Sequence, residues 1–191
     1  PGIVERDNEQ KFDPKLLKRM GELGFLGMMV SPEYGGGGMD TVSYVIAMEE
    51  LSKVDASASV MVSVNNSLVC YGLEAYGTEE QKRKYLAPLA SGEIIGAFCL
   101  SEPEAGSDAT SQHTTAEDKG DYYLVNGTKN WITNGNSASV YLVIAQTDVS
   151  KGSKGINAFI VEKNWPGVAV GAKENKLGIR GSDTHSILFT V

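Results

Sequence analysis

The chain is poor in the residues on which several kinds of chemistry depend. It has two cysteines, Cys70 and Cys99, far apart and without metal-ligand spacing. That count excludes a disulfide-rich scaffold; the pair reads as two reduced, buried thiols, with a single disulfide as the alternative. His113 and His185 are the only histidines, and neither has a ligand cluster beside it, which argues against a metal centre. No nucleophile elbow and no Cys/His pair stands out. Basic residues are outnumbered, 17 Lys and Arg against 24 Asp and Glu, for a net charge of −7. A nucleic-acid partner needs a basic footprint, so none is expected. No apolar run approaches the about twenty residues of a membrane helix, and no signal peptide is visible. No membrane insertion is expected, and a soluble intracellular protein is the default. Pro1 as first residue leaves room for a lost leader. There is no internal repeat and no low-complexity tract.

What is present is ordinary for a globular protein: 191 residues, 41% hydrophobic and 21% charged. That length suits one domain or two small ones with a real core. The periodicity changes near Gly92. Residues 1–93 read as helical. Pro14 opens a segment ending near Gly24, with Leu16, Leu17, Met20 and Leu23 at helical spacing. Asp40 or Thr41 caps a second, whose apolar residues are Val42, Val45, Ile46, Met48 and Leu51. Asp55 caps a third, rich in small and apolar residues through Val60, Val64 and Leu68, and expected to be buried on most sides. Thr78-Glu79-Glu80-Gln81 looks like a capped start for a fourth. Gly35–Gly38 lacks the Lys-Ser/Thr pair and the preceding strand of a phosphate loop, and reads as a mobile interhelical loop. Residues 94–191 read as short strands at 95–100, 122–125, 129–133, 140–146, 158–161, 168–170 and 185–191, separated by Gly- and Asn-bearing turns. The expected class is α+β: an N-terminal helical domain (1–93), then a small β-barrel or sandwich (94–191).

Two stretches of the strand half carry the chemistry. In Ala97-Phe98-Cys99-Leu100-Ser101-Glu102-Pro103-Glu104-Ala105-Gly106-Ser107-Asp108, a hydrophobic strand runs into a polar turn. Pro103 cannot donate to a ladder, so pairing should fail there. Gly106 permits close backbone approach, and Ser101 and Ser107 add hydroxyls. The second stretch, Asn126-Gly127-Thr128-Lys129-Asn130-Trp131-Ile132-Thr133-Asn134-Gly135, is a strand between two Asn-Gly hairpin signals. Alternation puts Trp131 and Thr133 on one face and Ile132 on the other. An indole beside hydroxyls can cover a flat polar ring and bond its edge. The plainer readings are a core Trp and an ordinary Ser-Glu-Pro loop. Glu102 and Asp108 could be general bases, but a carboxylate fixing its own turn is the more economical role.

These motifs resemble a known family. Residues 99–108 resemble the signature of the acyl-CoA dehydrogenases, and Trp131-Ile132-Thr133-Asn134 resembles that family's second flavin-contacting segment. Further matches run from Pro32-Glu33-Tyr34-Gly35-Gly36 to residues 176–182, so the resemblance covers nearly the whole chain. Ser63-Val64-Asn65-Asn66-Ser67-Leu68 is similar to the short-chain, butyryl-CoA branch. Glu104 stands where Gly is frequent, a change expected to be tolerated. The resemblance implies FAD as cofactor and α,β-dehydrogenation of a short-chain acyl-CoA. It implies flavin contacts from Phe98, Leu100, Ser101, Gly106 and Ser107, then from Trp131, Ile132 and Thr133, with Ser107 also near the acyl-CoA. It implies a homotetramer passing electrons to electron-transfer flavoprotein, in a bacterial cytoplasm or a mitochondrial matrix. The family's base is a Glu in a C-terminal helical domain that this sequence does not contain, so no catalytic base is assigned. The chain reads as the N-terminal and middle domains of a longer enzyme. The alternatives are an oxidase of the same fold and a non-catalytic acyl-CoA or flavin binding module.

Overall fold

A computed structural model describes residues 2–190. Helices come first: α1 (Ile3–Asn8), α2 (Pro14–Glu22), α3 (Thr41–Val54), α4 (Ala56–Ser63), α5 (Tyr71–Tyr76), α6 (Glu79–Gln81) and α7 (Ala87–Ser91). Asp40, Asp55 and Thr78 cap helices as expected, and Asp13, which no expectation named, caps the helix that Pro14 opens. Asp13 accepts from the N–H groups of Lys15 and Leu16, Asp40 from Ser43 and Asp55 from Ala58. Thr78 and Gln81 form a reciprocal capping box. Each such cap is worth about 1 kcal/mol. Two features have no local sequence signal. A π-helical stretch (Val64–Cys70) joins α4 to α5, and another (Lys82–Leu86) joins α6 to α7.

Two helical expectations change. On α3, Val42, Val45 and Ile46 are exposed, while Tyr44, Met48 and Leu51 turn inward at i, i+4 and i+7. The helix has more apolar residues than its inward face can hold. The third helix is largely enclosed as far as Cys70, except at Leu68, and then opens: Leu68, Tyr71 and Tyr76 are exposed. The Gly35–Gly38 loop is not loose. The N–H groups of Gly37, Gly38 and Met39 donate to the carbonyls of Gly27, Val30 and Met28. A Cβ on Gly36 would lie 2.1 Å from the Val30 carbonyl oxygen, so this strap requires glycine.

The strands are β1 (Gly96–Cys99), β2 (Thr115–Asp118), β3 (Tyr123–Thr133), β4 (Val140–Gln146), β5 (Ile156–Glu162), β6 (Val168–Lys173) and β7 (Thr184–Phe189). They form one seven-stranded sheet in the order β1-β4-β2-β3-β7-β6, with β5 on the other edge of β4. The Asn126-Gly127 hairpin is not formed. One strand runs through it, because Gly127 at φ 153° passes close over Thr114: a Cβ there would lie 2.3 Å from Thr114 Oγ1. The hairpin lies earlier, between β2 and β3, with Gly120 at φ 91° in its turn. Strand β2 was not anticipated; Thr115-Ala116-Glu117-Asp118 is too polar to read as one. The Asn134-Gly135 turn forms, but it joins β3 to β4, which do not pair.

Helical and strand halves share one core. Leu17, Met20, Leu26, Met61 and Val62 pack in the same cluster as Ile95, Ala97, Ile132, Tyr141, Val143 and Ile187. Buried Asn65 bolts the join. Its amide donates to Leu26 O (2.9 Å) and Leu89 O (3.2 Å), and its oxygen accepts from Gly96 N (3.0 Å). Asn66 does the same locally, bonding Phe25 O, Val62 O and Met28 N. Cys70 and Cys99 are free and buried, and burial pushes both thiols up, away from reactivity.

Candidate cofactor site

The site is built where the sheet has a seam. Strands β1 and β2 follow one another along the same edge of β4: β1 beside residues 140–143, β2 touching only Gln146. Residues 100–114 bridge the two. Pairing stops at Cys99, as the Pro103 turn requires, and Glu102 and Ala105 exchange both backbone hydrogen bonds to close that turn (2.9 and 3.2 Å). Gly106 and Ser107 leave it exposed, and nothing lies within 4 Å of where a Gly106 Cβ would be.

The second segment crosses this seam. Asn130 N donates to Ser101 O at 2.8 Å, so the two stretches singled out in the sequence do meet. Lys129 is fully buried, and its ammonium donates to Glu102 Oε1 (2.7 Å), Leu100 O (3.0 Å) and Gln112 Oε1 (3.2 Å). Glu102 also accepts from the N–H groups of His113 (2.6 Å) and Thr114 (3.0 Å). Burial works to raise the Glu102 carboxyl, but Lys129 and those N–H donors outweigh it and hold the group below its ordinary value. Burial pushes Lys129 down, with Glu102 opposing.

The alternation expected in β3 is broken by a β-bulge. Lys129 faces Ile187 and Ile132 faces His185, so β3 has one residue more than β7 between those pairs. Trp131 takes up the excess at φ 61°, a strained conformation for a non-glycine residue. The bulge lets Lys129 and Ile132 both point inward despite their odd spacing. Ile132 is 2% exposed, so only its backbone is left to meet a ligand, while the Trp131 indole is 61% exposed. Thr133, Phe98, Leu100 and Ser101 are half-buried. Beyond Thr133 the chain is tied down again. Asp183 Oδ2 accepts from Asn136 N (3.0 Å), Ser137 N (2.6 Å) and Ser137 Oγ (2.7 Å).

Neither candidate base is available. Glu102 is committed to Lys129, and Asp108 accepts from Thr110 Oγ1 (2.7 Å) and Ser111 Oγ (2.5 Å), which hold its carboxyl below the ordinary range. Glu104 is exposed, with His113 Nδ1 at 3.0 Å, so its carboxylate stays in solvent. Among the described residues no cluster suits a metal ion. A groove of about 980 Å³ opens between the halves, walled by Leu68, Tyr71 and Tyr76 on one side and by Phe98, Leu142, Ile144 and Phe159 on the other. Sequence reasoning missed Lys129, Gln112 and Asp183. A lysine inside an 11-residue strand was the one visible signal for the first.

The chain matches two consecutive family descriptions: "Acyl-CoA dehydrogenase, N-terminal domain" over residues 1–93 and "Acyl-CoA dehydrogenase, middle domain" over residues 97–191. The chain belongs to the acyl-CoA dehydrogenase family. Among curated relatives, "Acyl-CoA dehydrogenase, short-chain specific" of Clostridium acetobutylicum is 48% identical over 189 residues, covering 99% of this chain and 50% of that protein. The chain therefore spans about half the length of this relative. A solved chain described as "Electron transferring flavoprotein of Acidaminococcus fermentans: Towards a mechanism of flavin-based electron bifurcation" superposes with a TM-score of 0.97. It is 50% identical and covers all of this chain and 50% of its own length. A glutaryl-CoA dehydrogenase from Mycobacterium smegmatis in complex with FADH2 gives a TM-score of 0.93 at 38% identity, over 100% of this chain and 48% of that one. The signature turn and the Trp131 strand of this acyl-CoA dehydrogenase chain are thus the segments that the seam brings together.

Proposed function

We propose that this chain is the helical and β-domain portion of a short-chain acyl-CoA dehydrogenase, residues 1–93 and 94–191. The complete protein removes hydrogens from Cα and Cβ of a short acyl-CoA thioester. The observation that carries the reading is the seam, where the Asn130 N to Ser101 O bond sets the signature turn, with exposed Gly106 and Ser107, beside the strand bearing the exposed Trp131 indole and half-buried Thr133. These groups suit FAD: an apolar plane for its ring, hydroxyls for its polar edge, and open backbone at Gly106. FAD, when bound, supplies the hydride acceptor. Phe98, Leu100, Ser101, Gly106 and Ser107, with Trp131, Thr133 and the Ile132 backbone, bind and orient it. Ser107 also meets the thioester arm, and Leu68 and Tyr71 wall the acyl groove.

The two candidate bases of the signature turn, Glu102 and Asp108, are committed elsewhere. We assign removal of the α-proton to a residue outside this chain. The electron acceptor is electron-transfer flavoprotein and the assembly a homotetramer; the family membership supports both. No helix among the described residues is long and apolar enough to cross a membrane, consistent with a bacterial cytoplasm or a mitochondrial matrix.

The test is anaerobic flavin bleaching by butyryl-CoA. The full-length protein should bleach stoichiometrically, and the 191-residue chain with added FAD should not, since a placed base alone contributes about 10²–10⁴-fold. Bleaching by the chain alone would locate the base within it. Relative kcat/KM for butyryl-, octanoyl- and palmitoyl-CoA tests chain length; an optimum at octanoyl or beyond refutes the short-chain reading.

A further inference from the structure

Resting on the FAD reading above, we propose that the buried Lys129–Glu102–Gln112 cluster is the positioning element of the flavin site. It fixes the spacing of the two segments that hold the ring. The seam poses a specific problem. Between Cys99, where β1 ends, and Thr115, where β2 begins, the signature segment has no strand ladder to set its register. One side chain from the other segment replaces that ladder. The Lys129 ammonium spends its donors before the turn at Leu100 O, within it at Glu102 and beyond it at Gln112. Glu102 carries the constraint onward to the N–H groups of His113 and Thr114.

The arrangement is not the economical way to stabilise a fold. A buried ion pair repays its desolvation poorly, and an apolar pair of the same volume commonly does as well or better. An ion pair does fix direction: an ammonium with three acceptors holds them at set angles, which methyl groups cannot do. A backbone bond also joins the two segments, Asn130 N to Ser101 O at 2.8 Å, next to Lys129 and in its register. Lys129 and Glu102 are therefore positioning residues: both side chains are shut from solvent, at 0% and 4% exposure, and act on a ligand only through the segments they hold.

The test uses the full-length protein and FAD. Lys129→Met/Glu102→Gln removes both charges while keeping shape and an acceptor for the turn. It should melt near the wild type, yet bind FAD at least tenfold more weakly and give a shifted flavin absorption spectrum and reduction potential. Gln112→Leu removes one acceptor and leaves the pair; it should weaken FAD binding about threefold with little change in melting. If both variants bind FAD with wild-type affinity and spectrum, the cluster serves stability alone and the inference is overturned. Should the double variant fail to fold, Gln112→Leu decides. Failure of the wild type itself to take up FAD would instead overturn the functional reading, and the inference with it.

Discussion

Asn65 offers the sharpest test of how the two halves are joined. It is fully buried, and its amide ties three distant parts of the chain together, at Leu26 O, Leu89 O and Gly96 N, with a longer contact to Cys70 Sγ. Asn65→Ala leaves Gly96 N–H without that acceptor in a place water does not reach. An unsatisfied buried group costs about 1–3 kcal/mol. Leu26 O keeps only a 4.0 Å contact with Cys70 Sγ, whereas Leu89 O retains Gly92 N at 3.3 Å and loses less. With the small cavity added, the total is about 3–5 kcal/mol. Asn65→Asp separates geometry from charge. It keeps the acceptor for Gly96 but turns a carboxylate oxygen toward two carbonyls. Both the desolvation and those carbonyls favour the protonated form, so its folded pKa should rise. The folded state then binds more protons than the unfolded one, and stability must fall as pH rises through the folded pKa. Urea midpoints at about pH 5 and about pH 7.5, with Gly96 amide exchange, read both effects. A loss under about 1 kcal/mol for Asn65→Ala would refute the reasoning, as would an Asn65→Asp protein that gains stability with rising pH.

Other outcomes follow from the same geometry. Gly127→Ala forces a Cβ against Thr114 and should cost about 1–3 kcal/mol in thermal unfolding; an unchanged melting temperature would mean that β3 can shift there. Glu102 contributes stability above its ordinary carboxyl range that is lost as pH falls through its lowered folded value. Glu102→Gln should therefore flatten the acid limb of the stability profile and, by stranding Lys129, cost about 3–5 kcal/mol at neutral pH. In the full-length holoprotein, Trp131→Ala should weaken FAD retention by roughly 0.5–1.5 kcal/mol. Thr133→Val should lower the flavin reduction potential with little loss of FAD, read by redox titration. Ile132→Val should leave the flavin unchanged and cost only about 0.5–1.5 kcal/mol of stability, because its side chain belongs to the core.

Much of this was legible in the residues. Asp40, Asp55 and Thr78 mark helix starts because a short polar side chain answers orphan N–H groups locally. The end of β1 near Pro103 was legible for the same kind of reason, a missing donor. What failed was whatever long-range contact decides. Asn126-Gly127 has the chemistry of a hairpin, yet Thr114, brought in by the β2 pairing, makes Gly127 a crossing point. The bulge at Trp131 answers to β7, more than fifty residues downstream, and no alternation rule reveals it. Lys129 drew no reading from sequence because its three acceptors lie in a segment that spacing does not place beside it. The α3 stripe shows the reverse limit: periodicity identifies an apolar face without saying that these residues cover it.

The shared core has a consequence for how such a chain can change. Because Leu17, Met61 and Val62 pack with Ile95, Ile132 and Ile187, the helices are not a lid hinged on a finished β-domain. The groove's opposite walls, Leu68 and Tyr71 against Phe98 and Leu142, are set at a fixed gauge by the folding of the whole. A new groove width cannot be reached by swinging one half. It has to be carved residue by residue from the walls, and a cut made at Gly92 would yield two sticky surfaces where one interior had been.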